Sequence, residues 1–223
     1  METTIDLKSL SEGEDLEKLK EAFQVLATDE GLAIRTANDP RKLIQRFMET
    51  HWGQFEWAPL RKASGDHLSM ITKKAPSWPD SLEAMMSSDH RRCDDLFSQA
   101  ENAAQKGDLD QALEMHGRFA LGMERHFTME EEGFFSEFDN RMGTAGGGPV
   151  EVMREEHQQI RGMLFRMGGA LEDGDLEDYL GAADTMLYLM EQHNMKEEQM
   201  LYPMADDVFG GDREALLKNL FLL

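Results

Sequence analysis

The chain begins with short alternating and helical patterns and then becomes almost wholly helical. Ile5 and Leu7 alternate with polar neighbours over residues 3–8, the period of a half-buried strand. Leu16, Leu19, Phe23 and Leu26 then recur at helical spacing over 12–27, and residues 32–36 read as a second strand. Asp39-Pro40 marks a helix start, its carboxylate placed to cap and its proline suited to the first turn. The helix it opens carries Leu43, Ile44, Phe47 and Met48 on one face. Residues 54–60 and 67–72 are strand candidates on either side of the turn Ser64-Gly65-Asp66. The order βαβαββ predicts a small open-faced α/β sandwich. Pro76 and Pro79 cannot sit inside a helix or central strand, and they mark a boundary. Beyond them four long helical patterns follow, at 81–106, 109–142, 149–172 and 176–202. Gly107-Asp108, residues 143–148 and Asp173-Gly174-Asp175 break them. A short amphipathic helix is expected at 212–222. Long helices with short connections predict an antiparallel four-helix bundle. The expected α+β organisation is therefore a sandwich domain at 1–75, a linker at 76–80, and an all-α bundle at 81–223.

Composition sharpens this division. Of the formal charge of −21, residues 1–80 contribute −3 and residues 81–223 contribute −18, and 14 of the 17 methionines lie in the second part. An acidic chain repels phosphates, which argues against nucleic acid or an anionic membrane as a partner. No 18-residue apolar run and no basic-then-apolar leader is present, so a cytoplasmic location is expected. The single Cys permits no internal disulfide and excludes a thiolate-rich zinc site, so a metal here would be held by His and carboxylate.

The second part contains an internal repeat. Ser88-Asp89-His90 aligns with Glu155-Glu156-His157, and the run from Glu124 to Glu131 aligns with the run from Glu191 to Glu198. His90 and His126 are separated by 36 residues, as are His157 and His193. Met86 and Met153 each lie four residues before a His, and Met123 and Met190 each lie three before one. Two similar helical hairpins related by an approximate twofold axis are expected. At about 1.5 Å per residue, His90 and His126 both lie roughly 24 to 26 Å from their shared turn, so they are level across the hairpin. The second hairpin gives a near-equal count, and all four histidines can share one layer.

Carboxylates fit the same layer. His126-x-x-x-Glu130 and His193-x-x-x-Glu197 place each pair about 40° apart around a helix and one turn along it. One such pair alone is ordinarily a surface ion pair. Two matched pairs, each preceded at equal distance by another His, point to a metal centre. Four imidazoles and two carboxylates converging from four helices suit two non-haem iron ions, with His90, His126, His157 and His193 as terminal ligands and Glu130 and Glu197 bridging. Zinc or manganese satisfies the spacing as well, while magnesium and calcium do not favour imidazole. Glu131 and Glu198 compete for the bridging role. His116 stays unassigned, His51 and His67 have no partner at ligand spacing, the methionines read as core filling, and Cys93 reads as a buried small hydrophobe.

These residues resemble a hemerythrin-like domain of the bacterial and archaeal type. The family's ligand order maps onto His90, His126, Glu130, His157, His193 and Glu197. The oxygen-carrying members have a further His one turn after the third-helix ligand, where this sequence has Arg161. The set of four His and two Glu is instead similar to that of iron-centre repair proteins of nitrosative and oxidative stress. The N-terminal segment, including Asn38-Asp39-Pro40-Arg41 and Phe55-Glu56-Trp57, resembles a domain of unknown function that accompanies hemerythrin-type domains. It also looks like the small sulfur-carrier fold, whose carriers use a Cys on the first helix; residues 1–80 contain none. The resemblance implies an oxo- or hydroxo-bridged iron pair that binds or reacts with O2, NO or peroxide, in stress defence or iron-centre repair, with an electron donor or an iron-sulfur acceptor protein as partner. The alternatives are an oxygen or NO sensor or carrier without turnover, and simple iron storage.

Overall fold

The computed structural model describes residues 3–76, 78–144 and 147–223. Ser77, in the expected linker, and Ala145 and Gly146, in the expected connection at 143–148, lie outside the described residues. The chain divides into two compact units, Met1–Asp80 and Ser81–Phe221. Among the described residues no helix is long and apolar enough to cross a membrane.

The first unit has the order β1 (Thr3–Asp6), α1 (Glu14–Gln24), β2 (Gly31–Thr36), α2 (Arg41–His51), β3 (Phe55–Arg61) and β4 (His67–Lys73). Its sheet runs β1-β2-β4-β3, with β1 and β2 parallel and the other pairs antiparallel. The apolar stripes expected on the helices are buried: Leu19 and Phe23 on α1, Leu43, Ile44 and Phe47 on α2. Phe23, Phe47 and Phe55 pack edge to face, and the His51 ring stacks on Phe47 at 4.2 Å, where burial lowers its pKa. One local detail differs from expectation. Pro40 rather than Asp39 is the N-cap of α2, and the Asp39 carboxylate accepts the Arg41 amide at 3.0 Å while pairing with its guanidinium.

In the second unit, α3 (Leu82–Gln105) and α4 (Leu109–Thr128) form one hairpin, α6 (Pro149–Glu172) and α7 (Leu176–Lys196) the other. Packing of α4 on α6 and of α3 on α7 closes the antiparallel bundle. The two turns are built alike. Gly107 and Gly174 have φ of 75° and 72°, the left-handed conformation that glycine adopts without a Cβ clash. Asp108 and Asp175 follow as N-caps, accepting the amides of Gln111 and Asp178 at 3.1 Å and 2.9 Å. Every counterpart lies 67 positions on, as residue 157 lies from residue 90. Apolar side chains fill the space between the turns and the histidine layer, among them Met115, Phe119, Met123, Phe127, Ile160, Met167, Met186 and Met190. Cys93 belongs to this core, and burial pushes its thiol up to about 12.

The expected helices at 109–142 and 176–202 are both interrupted. The α pattern gives way to a π turn over Met129–Phe134 before α5 (Phe135–Met142), and over Glu197–Leu201 before α8 (Tyr202–Phe209). A short 3-10 turn and α9 (Arg213–Phe221) complete the unit. The second interruption has a cause in sequence. Pro203 has no amide hydrogen, so an α ladder running through it would leave a carbonyl without its donor. At the first, Gly133 weakens the helix and admits Leu220 against its backbone: a Cβ there would overlap Leu220 Cδ2.

Candidate metal centre

Each of the six residues singled out from the sequence is buried in the bundle, and together they form one cluster. His90, His126, His157 and His193 come from α3, α4, α6 and α7, and none is more than 3% exposed; Glu130 and Glu197 are fully buried. Two groups of potential ligand atoms, each within 4.8 Å of one another, result: Glu130, His157, His193 and Glu197 in one, His90, His126 and Glu197 in the other. Glu197 belongs to both. Its Oε1 lies 3.2 Å from His193 Nε2 and its Oε2 lies 3.2 Å from His90 Nε2, so its two oxygens face opposite groups. Glu130 is less symmetric. Its Oε2 lies 3.1 Å from His157 Nε2 and 3.5 Å from His126 Nε2, whereas its Oε1 accepts the Tyr202 hydroxyl at 2.9 Å.

Whether these residues suit a cation is answered by what they lack. Glu130 Oε2, His157 Nε2, His193 Nε2 and Glu197 Oε1 are all buried polar atoms without a hydrogen-bond partner. They approach one another at ion-pair distance but without hydrogen-bond alignment, as donors converging on a shared centre do. Unsatisfied buried polar atoms are rare and costly, about 1–3 kcal/mol each. These four are the same four residues that make up the first ligand group. Nitrogen and carboxylate oxygen in this ratio suit a first-row transition metal such as iron.

A second ring of carboxylates fixes the imidazoles. His90 Nδ1 meets Glu198 Oε1 at 2.8 Å, His157 Nδ1 meets Glu131 Oε1 at 2.7 Å, His126 Nδ1 meets Asp89 Oδ2 at 3.1 Å, and His193 Nδ1 meets Glu156 Oε2 at 3.1 Å. Holding the proton on Nδ1 leaves the Nε2 lone pair for a metal. The carboxylates are braced in turn: Asp89 by Arg92 and Arg125, Glu131 by Arg161, and Glu156 by Lys196. Glu131 and Glu198 thus lie outside the ligand groups and orient histidines of the opposite hairpin. Arg161 is spent on Glu131 and Glu124 and stacks over Phe127.

The electrostatics favour a cation. Burial opposes charge on His90, but Glu197 and Glu198 outweigh it and hold the imidazole at about 10; burial likewise opposes charge on His157, and Glu130 and Glu197 raise it to about 10. Burial would also raise Asp89 and Glu197, yet Arg92 and His126 hold the first, and His193 and the other imidazoles the second, well below the usual carboxylate range. A pocket that draws protons so strongly is one in which positive charge is stabilised.

Three participants were not singled out in the sequence. Asp89 and Glu156 immediately precede ligand-group histidines, and on their own helix they point about 100° away from them. Only the neighbouring helix shows that they serve His126 and His193, although the aligned Asp89-His90 and Glu156-His157 pairs carried the signal. Tyr202 stands five residues after Glu197, about 140° off its face in an α-helix. The π turn cancels that offset: the Tyr202 amide bonds back to the Glu197 carbonyl, stacking the two residues. Its phenol donates toward Glu130 Oε1 and Glu197 Oε2, both at 2.9 Å, and burial with these two carboxylates keeps its pKa well above that of a free tyrosine. His116 lies apart, near Phe119 and Tyr179.

Comparison with known proteins agrees with this geometry. A relative described as an uncharacterized hemerythrin-like protein of Schizosaccharomyces pombe is 26% identical over 118 residues, 53% of this chain. The match spans 56% of that relative, so the chain covers only about half the length of the protein it resembles. No solved structure matches. The profile of the hemerythrin HHE cation binding domain matches residues 81–205, which contain the whole histidine and glutamate cluster and both π turns. The chain belongs to the hemerythrin HHE cation-binding family.

Proposed function

We propose that His90, His126, His157, His193, Glu130 and Glu197 hold two non-haem iron ions, and that the centre binds or reacts with O2, NO or peroxide in oxidative or nitrosative stress defence or iron-centre repair. The observation that carries this reading is the coincidence of the four partnerless buried atoms with one ligand group. Iron, when bound, supplies a redox couple and a coordination position for a small ligand. The chain supplies the rest. Asp89, Glu131, Glu156 and Glu198 hold the imidazole protons at Nδ1 and aim Nε2 inward. Met86, Met123, Met153, Met190 and Phe127, all buried, exclude water and lower the local dielectric. The engagement of Arg161 with Glu124 and Glu131, at the position where oxygen carriers place a further ligand, favours reaction over reversible carriage. The setting is cytoplasmic, with an electron donor or an iron-sulfur acceptor as partner.

Metal analysis after anaerobic loading with ferrous iron, followed by NO and peroxide consumption assays, tests the reading. Two irons per chain and consumption over many turnovers are expected. Ligand uptake that stops at one equivalent identifies a sensor or carrier instead. A folded protein that excludes iron, or one that holds a single zinc, overturns the di-iron assignment.

A further inference from the structure

The internal repeat is broken at one place that the metal reading leaves unused. Tyr202 follows Glu197 by five residues; its counterpart, following Glu130 by five, is Phe135. Both are stacked on their glutamate by a π turn, the Phe135 amide bonding to the Glu130 carbonyl as the Tyr202 amide bonds to that of Glu197. Both are fully buried. Phe135 lays its ring on His157 with 5.8 Å between centroids. Tyr202 brings an oxygen instead, and that oxygen sits among the atoms of the other ligand group.

The distances place the phenol oxygen among the donor atoms of that group. Tyr202 Oη lies 3.3 Å from His90 Nε2, 3.4 Å from His126 Nε2 and 2.9 Å from Glu197 Oε2. His90 Nε2 and His126 Nε2 are themselves 3.0 Å apart. Donors at right angles on a metal with bonds of about 2.1 Å are separated by about 3 Å. One phenolic proton cannot serve two carboxylate oxygens at full strength, and Tyr202 Oη stands 2.9 Å from both Glu130 Oε1 and Glu197 Oε2.

Resting on the di-iron reading, we propose that Tyr202 is a ligand of the metal held by His90, His126 and Glu197, which makes the two metal positions chemically different. As the oxygen–metal bond forms, the phenolic proton passes to solvent. The hydrogen bonds to Glu130 Oε1 and Glu197 Oε2 break, and both oxygens become free to ligate. At the His157–His193 position Phe135 offers no donor, so that metal has imidazole and carboxylate ligands alone.

Phenolate bound to ferric iron absorbs visible light by charge transfer, and no other ligand in this cluster does so in the same way. The chain has three tyrosines. Tyr179 packs against His116 and Tyr188 is 63% exposed, so neither can be the source. The experiment loads the full chain with ferrous iron without oxygen, admits air, and records iron content, visible absorption and resonance Raman spectra. A charge-transfer band with phenolate ring modes is expected in the natural protein and is absent, per iron bound, in Tyr202→Phe. Normalising to bound iron keeps the comparison valid if the variant holds less metal, and circular dichroism checks its fold. An iron-loaded natural protein without the band, or a band that survives in Tyr202→Phe, overturns the assignment of Tyr202 and leaves the di-iron reading standing. A natural protein that takes up no iron overturns the di-iron reading itself.

Discussion

Replacing Glu131 by alanine separates a carboxylate that orients a ligand from one that is a ligand. Glu131 Oε1 accepts the hydrogen bond from His157 Nδ1 at 2.7 Å, and Arg161 holds the same carboxylate with contacts of 2.8 Å and 3.2 Å. Truncation therefore removes one charge-assisted hydrogen bond from His157 and frees its ring to turn, while leaving every proposed donor atom in place. Such a bond contributes about 1.5–3 kcal/mol. Loss of the outer partner of a metal-binding imidazole costs about 10–100-fold in affinity, equivalent to about 1.4–2.7 kcal/mol, so the two routes agree. Competition with a chromophoric chelator for ferrous or manganous ion should show that loss with the stoichiometry preserved. Glu130→Ala removes a donor and should lose a site outright. Glu198→Ala, the counterpart in the repeat, should fall at the low end, since its side chain is 38% exposed against 21% for Glu131 and water can replace it. Abolition of binding by Glu131→Ala would make Glu131 a ligand after all. Unchanged affinity would mean that His157 needs no such partner.

Three further outcomes follow from packing and charge. Asp206, on α8, accepts the amides of Leu82 at 2.8 Å and Glu83 at 3.1 Å at the start of α3; Asp206→Ala should cost about 1–2 kcal/mol as a lost cap and dipole partner, lowering Tm by about 2–4 °C per kcal/mol, with Asp206→Asn between it and the natural protein. Equal melting of all three would refute it. Gly133→Ala forces a Cβ into Leu220, which is fully buried, and should cost about 1–3 kcal/mol by overpacking, read as a lower denaturation midpoint; no change would mean that α9 shifts freely. Burial lowers the pKa of His116 and its hydrogen bond to the Leu164 backbone raises it less, so the net shift is downward. A depressed histidine adds stability above its unfolded value of about 6.5 and loses it as pH falls through the folded value. The stability of the natural protein relative to His116→Leu should therefore decline on acidification below about pH 6.5, and a pH-independent difference between the two melting curves would contradict this.

What could be read from the chain was whatever a regular helix preserves. The i, i+4 spacing of His126 and Glu130, and the equal arms from His90 and His126 to their turn, are properties of a 3.6-residue period, and the structure brings those residues together. What could not be read was whatever depends on leaving that period or on a neighbouring helix. Tyr202 reaches the cluster only because a π turn intervenes, and nothing in the 3.6 pattern places residue 202 over residue 197; Pro203 was the local clue. The separation of Glu130 from Glu131 is of the same kind. Adjacent on one helix, they differ in role because Glu131 meets His157 and Arg161, both on α6. The N-terminal strands and helices followed from alternation and from the stripe of Leu43, Ile44 and Phe47, with ends that moved where capping departed from the Asp39 pattern.

The four orienting carboxylates divide in a way that bears on how the halves cohere. Asp89 and Glu156 act within their own hairpin, whereas Glu131 and Glu198 reach across to the histidine of the other. Each hairpin thus carries two imidazoles and one buried glutamate but relies on its twin to aim one of those imidazoles. On the proposed metal reading, the centre adds a clasp between two near-copies that already share one apolar core. A chain nicked between the hairpins would be expected to dissociate at lower denaturant after a chelator removes metal than while metal is bound.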